Sequence, residues 1–202
     1  MTDWVTYTAF GVLLALASTA LFFFTLTRGA LLMRGALGRL QHEAAHVYPI
    51  YSNLKLIRLV DWQPVIAAIL LFQYSRLVSV ITHGLRHSAL QGKQVLITYC
   101  AFGNVMPRVA RAAMKAGTNR LLVADIIQNE LDHARGKLEF CADHTEYLQQ
   151  NATALTLPDA SVHANVMFFL LHELPHHLKV CALTEAMRVL ADGSEHCVCE
   201  LM

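Results

Sequence analysis

The stretch QVLITYCAFGNVMPRVARAAMKAGTNRLLVAD, residues 94–125, decides the fold. It opens with an apolar run, Gln94–Tyr99, that is typical of a buried strand, and a turn follows at Ala101–Gly103. A helix is predicted over Met106–Ala116, because the next residue is a glycine that stops it. A second apolar strand then occupies Arg120–Ala124. A strand, a turn, a helix and a glycine stop make one unit of an α/β fold.

The same alternation continues towards the C-terminus. The further predicted elements are a helix near Gln128–Glu139, a short strand within Cys141–Ala154, a strand over Val162–Leu171, a helix over His177–Leu190 and a strand over Glu195–Leu201. Strands that alternate with helices form a parallel sheet covered on both faces, with ligands bound beyond the carboxyl ends of the strands. The sequence therefore predicts a Rossmann-like α/β domain.

The last predicted strand is still running when the chain reaches Met202. We therefore expect a sheet that is shortened at its C-terminal end, with an open edge at Cys197–Leu201. Unpaired backbone groups at such an edge favour pairing with another chain, so a homodimer is a further expectation.

The N-terminal segment Trp4–Thr27 contains no charged side chain, and arginines follow directly behind it. About 20 apolar residues suffice to cross the hydrocarbon layer, and aromatic residues such as Trp4 and Tyr7 favour its edges. This pattern predicts a single-pass transmembrane anchor with the following domain in the cytoplasm, because basic residues stay on that side. A cleaved signal peptide and a buried helix of a soluble core are the alternatives.

Three regions follow from these patterns. They are an anchor over residues 1–28, a linker and helical region over 29–92, and the α/β domain over 93–202. Within the second region, Pro64–Ile81 has the wide apolar face of an amphipathic helix. This helix either packs on the α/β domain or lies in a membrane interface, and the few basic residues on its polar face favour packing.

Charge, cysteines and histidines exclude several classes of protein. The net charge is +1, so the chain lacks the basic surface that binds nucleic acid. Five cysteines, an odd number without paired spacing, predict reduced thiols rather than disulfides. His176 and His177 are adjacent, which does not aim two imidazoles at one ion from a helix, so no metal site is predicted.

Two segments resemble class I S-adenosylmethionine-dependent methyltransferases of the ubiquinone and menaquinone type. Asn151–Ser161 is similar to the loop after their third strand, and Ala182–Gly193, ALTEAMRVLADG, to the helix and turn before strand five. More narrowly, Phe168–Pro175, FFLLHELP, resembles the rhodoquinone biosynthesis methyltransferase-like proteins. That resemblance implies S-adenosylmethionine as cofactor, and conversion of a ubiquinone methoxy position to an amine with S-adenosylmethionine as the nitrogen source.

On this resemblance, several cofactor-binding residues follow the second, third and fourth strands. Asp125 would accept hydrogen bonds from the ribose hydroxyls, and its alternative role is to cap the next helix. Asn151 stands where the family usually has an acid for the adenine amino group, and its alternative role is to form a turn. The other positions assigned to this pocket are Ile126, Ala152 and Met167.

The first glycine motif departs from the family pattern. Ile97 replaces the usual acid, and Tyr99 and Ala101 replace the first two glycines. Cys100 lies between them, and Gly103 is retained. Because glycine lets the backbone approach a ligand closely, these four positions from 99 to 103 should line a reshaped pocket. Either the cofactor amine is held differently because it takes part in the chemistry, or cofactor binding is weak or absent.

Candidate catalytic residues lie at the end of the fourth strand and on the helix before the first. Phe168 and Phe169 could hold a planar quinone ring, and His172 could exchange a proton with a ring oxygen. Core packing is the alternative for both phenylalanines, and a hydrogen bond to backbone is the alternative for the histidine. Tyr74 is a candidate by resemblance alone, and a packing role is equally open for it.

The sequence thus favours a membrane-tethered S-adenosylmethionine-dependent transferase that acts on a quinone-like, lipophilic substrate. A conventional methyltransferase with an unrelated acceptor is one alternative. A non-catalytic membrane protein that keeps a degenerate form of the fold is another.

Overall fold

The computed structural model describes residues 3–23, 54–61, 74–99 and 102–199. By its internal contacts the chain divides into two units, Met1–Ala44 and Ala45–Met202.

The first unit contains helix α1, Asp3–Phe23. Large apolar side chains are exposed along its length, among them Trp4 at 66% and Leu21 at 63%. Across the four described stretches, none of the helices combines the length and hydropathy that a membrane crossing needs. The predicted transmembrane span Trp4–Thr27 is not found among these helices, and positions 24–27 of it lie outside the described residues.

The second unit is built on a parallel sheet. Its strands are β1 (Gln94–Thr98), β2 (Arg120–Asp125), β3 (Thr145–Gln149), β4 (Val162–Phe168) and β5 (Leu190–Cys199). They lie in the order β3-β2-β1-β4-β5, and every neighbouring pair is parallel. The chain fills one side of β1 with β2 and β3 and then crosses to the other side for β4 and β5. The predicted Rossmann-like architecture is confirmed, and its topological switch point lies between β1 and β4.

Five helices accompany the sheet in the described part of the second unit. They are α2 (Leu54–Val60), α3 (Tyr74–His87), α4 (Val105–Lys115), α5 (Gln128–Lys137) and α6 (His176–Val189). Two short 3-10 turns, Glu139–His144 and Leu171–Glu173, follow α5 and β4.

Some boundaries differ from the sequence prediction for local reasons. Strand β4 stops at Phe168, three residues early, because Phe169 adopts a left-handed backbone with φ 60°. Strand β5 starts at Leu190 rather than Glu195, because four residues bulge out between the pairs that Leu190 and Glu195 make with β4. Gly193 supplies the positive φ, 71°, that this bulge requires.

The core explains why the central strands are apolar throughout. The inner residues of β1, β2 and β4 are buried on both faces of the sheet, as Val95, Leu96 and Ile97 illustrate. Helix α3 packs on α4, and its buried residues are Tyr74, Val78, Ile81, Thr82 and Leu85. Packing is thus confirmed for the described part of the second apolar helix, while positions 64–73 lie outside the described residues.

Cys141 and Cys181 are free thiols. Cys141 is buried, as expected, but Cys181 is exposed because it lies on the outer face of α6.

Candidate functional site

The carboxyl ends of β1 and β4 are marked by unusual backbone geometry. Tyr99, directly after β1, has φ 82°, and Phe169, directly after β4, has φ 60°. The two strands are hydrogen-bonded neighbours at the switch point of the sheet. A non-glycine residue in this region costs roughly 1–3 kcal/mol, and such strain concentrates at functional sites. The carboxyl edge is therefore the candidate site.

The Tyr99 side chain crosses the gap between the two strand ends. Its hydroxyl donates a hydrogen bond of 2.7 Å to Oε1 of Glu173, in the 3-10 turn after β4. Its backbone N–H donates to the carbonyl oxygen of Ala124 at 2.8 Å, so the residue is fixed at both ends. The ring is buried, with 8% exposed. Tyr99 thus fills space that a glycine at this position would leave open.

The Gly103 turn is clamped by residues from two helices. The Asp61 carboxylate, directly after α2, accepts a hydrogen bond from the Gly103 N–H. Lys137 Nζ, at the end of α5, donates to Asp61 Oδ1 at 2.8 Å and to the Gly103 carbonyl oxygen at 3.0 Å. His133 Nε2 lies 3.0 Å from Asp61 Oδ2. Both backbone polar groups of the glycine are therefore engaged.

These contacts also set the protonation state of Asp61. Burial favours the neutral acid, but the hydrogen bond from His133 and the charge of Lys137 outweigh it and hold the pKa of Asp61 below its usual range. Asp61 is therefore a carboxylate at neutral pH, and its negative charge is balanced locally by Lys137.

A second acid, Glu130, lies in the same region in the opposite protonation state. Glu130 is 1% exposed, and its Oε1 accepts no hydrogen bond from the described residues. Burial, followed by the negative charge of Asp125, raises the pKa of Glu130 to about 8. The charges of Lys137, Asp61 and Glu173 also act on it. At neutral pH the edge thus holds one protonated acid among three other carboxyl groups.

Asp125, assigned to ribose binding, ends β2 and is buried, with 4% exposed. Its Oδ1 accepts a hydrogen bond of 2.8 Å from the N–H of Ile127, the residue that caps α5. Asp125 does not cap α5, because the N-cap residue is Ile127 and no side-chain hydrogen bond caps the helix within the described residues. Ile126 is 49% exposed next to it, so this end of β2 presents an apolar surface at the edge.

The residues assigned to the loop after β3 form a turn. Asn151 is exposed, and its Oδ1 accepts hydrogen bonds from the backbone N–H of Thr153 at 3.0 Å and from its hydroxyl at 2.9 Å. Ala152 packs partly against the main core. The turn-forming alternative is therefore what the structure shows for Asn151, and adenine binding stays a prediction.

The remaining cofactor positions differ in accessibility. Met167 is fully buried in β4, where it can support the site but presents no exposed surface. Cys100 and Ala101 lie outside the described residues.

The two catalytic candidates stand at opposite ends of a row of aromatic rings. Tyr74 meets Phe168 edge-on at 6.0 Å between ring centroids, Phe168 lies 4.3 Å from Phe169, and Phe169 lies 6.1 Å from His172. Tyr74 is 3% exposed, whereas the His172 side chain is 43% exposed. We call these four residues the aromatic row. Its exposed end is His172 and its buried end is Tyr74.

Tyr74 is poorly placed to exchange protons. Burial raises the pKa of its phenol above the usual value, and its hydroxyl lies 3.4 Å from the carbonyl oxygen of Phe102. The accessible proton-transfer group of the aromatic row is His172, whose Nε2 lies 4.0 Å from Glu173 Oε1.

The two segments that carry the broader resemblance contact each other. Arg188 on α6 donates to the carbonyl oxygens of Leu155 at 2.9 Å and Leu157 at 3.0 Å, and pairs with Asp159. Glu185, one turn earlier, binds both Arg188 and the Leu155 N–H. These residues attach the loop after β3 to α6. Some of the residues that carry the resemblance therefore hold the loop in place and do not line the ligand site.

A cavity of about 570 Å³ lies at the opposite edge of the sheet. Its walls include the first residues of three strands, Gln94, Arg120 and Thr145, with His144 and His163. Ligands of open α/β sheets bind at the carboxyl ends of the strands, whereas this cavity is at the amino ends. We therefore assign the candidate site to the carboxyl edge, where the strained backbone and the buried acids lie, and not to this cavity.

Sequence patterns do not single out Asp61, Lys137 or Glu130. A signal for Glu130 was available, since it lies three residues before His133 and four before Ala134, on the helix face that Leu131 and Leu138 also help to bury. An acid on a buried face is unusual enough to indicate a function.

Residues 95–193 match the methyltransferase domain family. No curated protein sequence matches the chain.

Solved structures of related fold have low sequence identity to this chain. A protein of Methanococcus maripaludis assigned as an S-adenosyl-L-methionine-dependent methyltransferase is 11% identical with a TM-score of 0.56, over 77% of this chain and 67% of its own. Phosphoethanolamine N-methyltransferase 1 of Haemonchus contortus, solved with phosphoethanolamine and S-adenosylhomocysteine, is 16% identical with a TM-score of 0.54, over 79% of this chain and 33% of its own.

A third structure of this fold is named as a cyclase and not as a methyltransferase. The [4+2]-cyclase SpnF is 19% identical with a TM-score of 0.51, over 62% of this chain and 44% of its own. The chain thus spans about two thirds of the first of these structures and less than half of the other two. At these identities the likeness establishes the fold.

Proposed function

We propose that this protein, whose residues 95–193 match the methyltransferase domain family, is a class I S-adenosylmethionine-dependent transferase that acts on a planar, lipophilic acceptor of the quinone type. The aromatic row is the observation that carries this proposal, because its exposed end lies beside the switch point where the cofactor of this fold binds. Aromatic rings stack on planar ligands at centroid distances of about 4.5–7 Å.

The residues at the end of β2 suit the nucleoside half of S-adenosylmethionine. Asp125 offers a buried carboxylate for the ribose hydroxyls, and the exposed Ile126 offers an apolar surface for the adenine ring. Asn151 would contact the adenine edge from the loop after β3. Asp125 and Glu173, two buried carboxyl groups of this edge, suit a cofactor with a positive sulfonium and an ammonium group.

S-adenosylmethionine, when bound, supplies an electrophilic methyl group. Methyl transfer would join the oxygen of an acceptor hydroxyl to that carbon, break the carbon–sulfur bond with its electrons left on sulfur, and release the hydroxyl proton. His172 would take the proton that a hydroxyl acceptor loses, since its side chain is exposed at the end of the aromatic row. Phe169 would orient the acceptor ring, and Tyr74 would support the row from the core.

The narrower form of this proposal is that the amino nitrogen of S-adenosylmethionine replaces a methoxy group of ubiquinone, which leaves as methanol. The quinone ring would then accept two electrons from the α-carbon, and water would release the amine from that carbon. The support for this form is the octapeptide Phe168–Pro175, which supplies Phe168, Phe169 and His172 of the aromatic row together with Glu173, the partner of Tyr99. A tyrosine in place of the first glycine would hold the methionine end of the cofactor differently.

A membrane location follows from a lipophilic acceptor. We place the α/β domain on the cytoplasmic side, with α1 binding the lipid interface through its exposed apolar side chains. Flotation of the protein with phospholipid vesicles tests this, and recovery of the protein in the lipid-free fraction would contradict it.

Non-catalytic binding is the second candidate function. It is favoured by Tyr99, whose ring fills the space at the end of β1, and by Asp61, which takes the Gly103 N–H. The fold alone does not decide between these functions, because the same fold occurs in a [4+2]-cyclase.

Calorimetric titration with S-adenosylmethionine separates the two candidates. We expect binding by the wild type and at least about tenfold weaker binding by Asp125→Ala, a loss of about 1.4 kcal/mol or more. Asp143→Ala is the matched control, because Asp143 is an exposed acid at the opposite edge of the sheet. Absence of binding by the wild type would overturn the transferase.

Isotope labelling then identifies the transferred group. With membranes and both the oxidised quinone and its reduced, hydroxyl-bearing form present, mass spectrometry should find either the labelled methyl group or the labelled α-nitrogen of S-adenosylmethionine in the product. The second result would establish the amino-transfer form, and the first would establish a conventional methyltransferase.

A further inference from the structure

Two histidines on α3 form a pair that is separate from the carboxyl edge. His83 and His87 are four residues apart on one helix, so their rings project from the same face. Both side chains are exposed. Their ring centroids lie 4.2 Å apart, and their Nδ1 atoms lie 3.2 Å apart.

The separation of the two Nδ1 atoms matches an edge of a metal coordination sphere. Imidazole nitrogens bind zinc at about 2.0–2.1 Å, so two ligands at angles between square and tetrahedral stand about 2.9–3.4 Å apart. The observed 3.2 Å lies within this interval. The spacing of the two nitrogens therefore suits one ion held between them.

The present hydrogen bonds of the pair are compatible with such a change. His87 Nδ1 lies 2.8 Å from the carbonyl oxygen of His83, which places a proton on that nitrogen. Metal binding needs a lone pair there, so the proton moves to the other ring nitrogen, Nε2, where water can accept it. A small rotation of the ring then turns Nδ1 from the carbonyl towards the ion.

We propose that His83 and His87 form a surface site for a divalent transition-metal ion of the Ni²⁺, Cu²⁺ and Zn²⁺ class. Imidazole is a preferred ligand of these ions. Among the described residues, no group of three or more His, Cys, Asp or Glu side chains converges on one point. Water or an external ligand therefore completes the coordination. The site is independent of the proposed transferase, because it uses none of the residues at the carboxyl edge.

Calorimetric titration of the full chain with Ni²⁺ tests this site, and Ni²⁺ is preferred because Cu²⁺ oxidises free thiols. We expect His83→Gln and His87→Gln each to bind Ni²⁺ about tenfold more weakly or worse, since each loses one of two ligands. Zn²⁺ should raise the Tm of the wild type more than that of either variant, because an ion that binds only the folded state stabilises it.

The matched control is the double variant His176→Gln, His177→Gln. These two histidines are exposed at the start of α6, but as adjacent residues they cannot chelate one ion from a helix. Unchanged Ni²⁺ affinity in this control supports the site. Equal affinity of the wild type and His83→Gln, or an equal loss in the control, would overturn it.

Discussion

At the scale of single residues, Tyr99 decides how much room the carboxyl edge offers. Its ring is buried beyond the carboxyl ends of β1 and β4, and its backbone is held at φ 82°. Glycine adopts this backbone conformation without strain and has no side chain to fill the gap. Tyr99 therefore leaves less room for a ligand at the carboxyl edge than glycine would, and its hydroxyl contacts Glu173 instead.

We expect Tyr99→Gly to bind S-adenosylmethionine more tightly than the wild type, by about tenfold or 1.4 kcal/mol. Tyr99→Phe is the matched variant, since it keeps the ring and loses only the hydrogen bond to Glu173. Its affinity should stay near that of the wild type. Calorimetry on variants with native circular dichroism makes the comparison. Weaker binding by Tyr99→Gly would show that the ring contributes to the site instead of narrowing it.

Glu130 predicts an unusual dependence of stability on pH. The pKa of Glu130 is raised from an ordinary 4.5 to about 8 in the folded protein, so between these values the folded state holds a proton that the unfolded state has lost. Its contribution therefore lowers the free energy of unfolding as pH rises from about 4.5 to 8. Each pKa unit corresponds to about 1.4 kcal/mol, which makes the total a few kcal/mol.

Glu130→Gln should remove that part of the pH dependence, because glutamine does not titrate. Urea unfolding at pH 5 and pH 8 measures the difference. Glu139→Gln is the control, since Glu139 is exposed and should leave the wild-type slope intact. The same slope in Glu130→Gln and the wild type would contradict the assignment of a buried neutral acid.

At the scale of elements, α6 supports the loop after β3 through Arg188. The guanidinium binds two backbone carbonyl oxygens of the loop and both oxygens of Glu185. Lysine keeps the charge but lacks this planar set of donors. Arg188→Lys should therefore lower the Tm and accelerate proteolysis between Asn151 and Ser161. Lys179→Arg, on the same helix, is the control, and equal proteolysis of the two variants would contradict this role.

The elements themselves could be predicted because their signals are local. Strand β1 and helix α4 follow from one apolar run and one glycine, and both were placed within a residue or two. The end of β4 was missed because Phe169 takes a left-handed conformation that phenylalanine rarely adopts. The start of β5 was missed because a bulge between Leu190 and Glu195 interrupts the alternation of apolar and polar residues that indicates a strand.

The site was predicted less completely, because most of its contacts join distant residues. The resemblance located the strand ends, including Asp125 and His172. Asp61 and Gly103 are 42 positions apart, and Asp61 stands in a segment that sequence patterns assign to a linker. The spacing of apolar residues along a helix or strand does not indicate a contact between residues so far apart in sequence. The pairing of Tyr99 with Glu173, 74 positions away, was hidden for the same reason.

At the scale of the whole molecule, the described sheet has β5 at one edge. We propose that two copies of the chain associate through this edge, because an edge strand presents backbone N–H and C=O groups that can pair with another strand. Val198→Lys should weaken the association, since an edge lysine opposes pairing, and analytical ultracentrifugation measures the result. Val180→Lys is the control on α6, where the valine is also exposed. A monomeric wild type would contradict this mode of association.

The Gly103 turn has one further consequence for how a ligand enters. Its N–H already donates a hydrogen bond to Asp61, and its carbonyl oxygen already accepts one from Lys137. An incoming carboxylate group would have to displace a side chain of like charge before it could use that amide. Binding of the ligand would then replace Asp61 as the acceptor of the Gly103 N–H. We expect this exchange to be visible as faster deuterium uptake around residue 61 when the ligand is present.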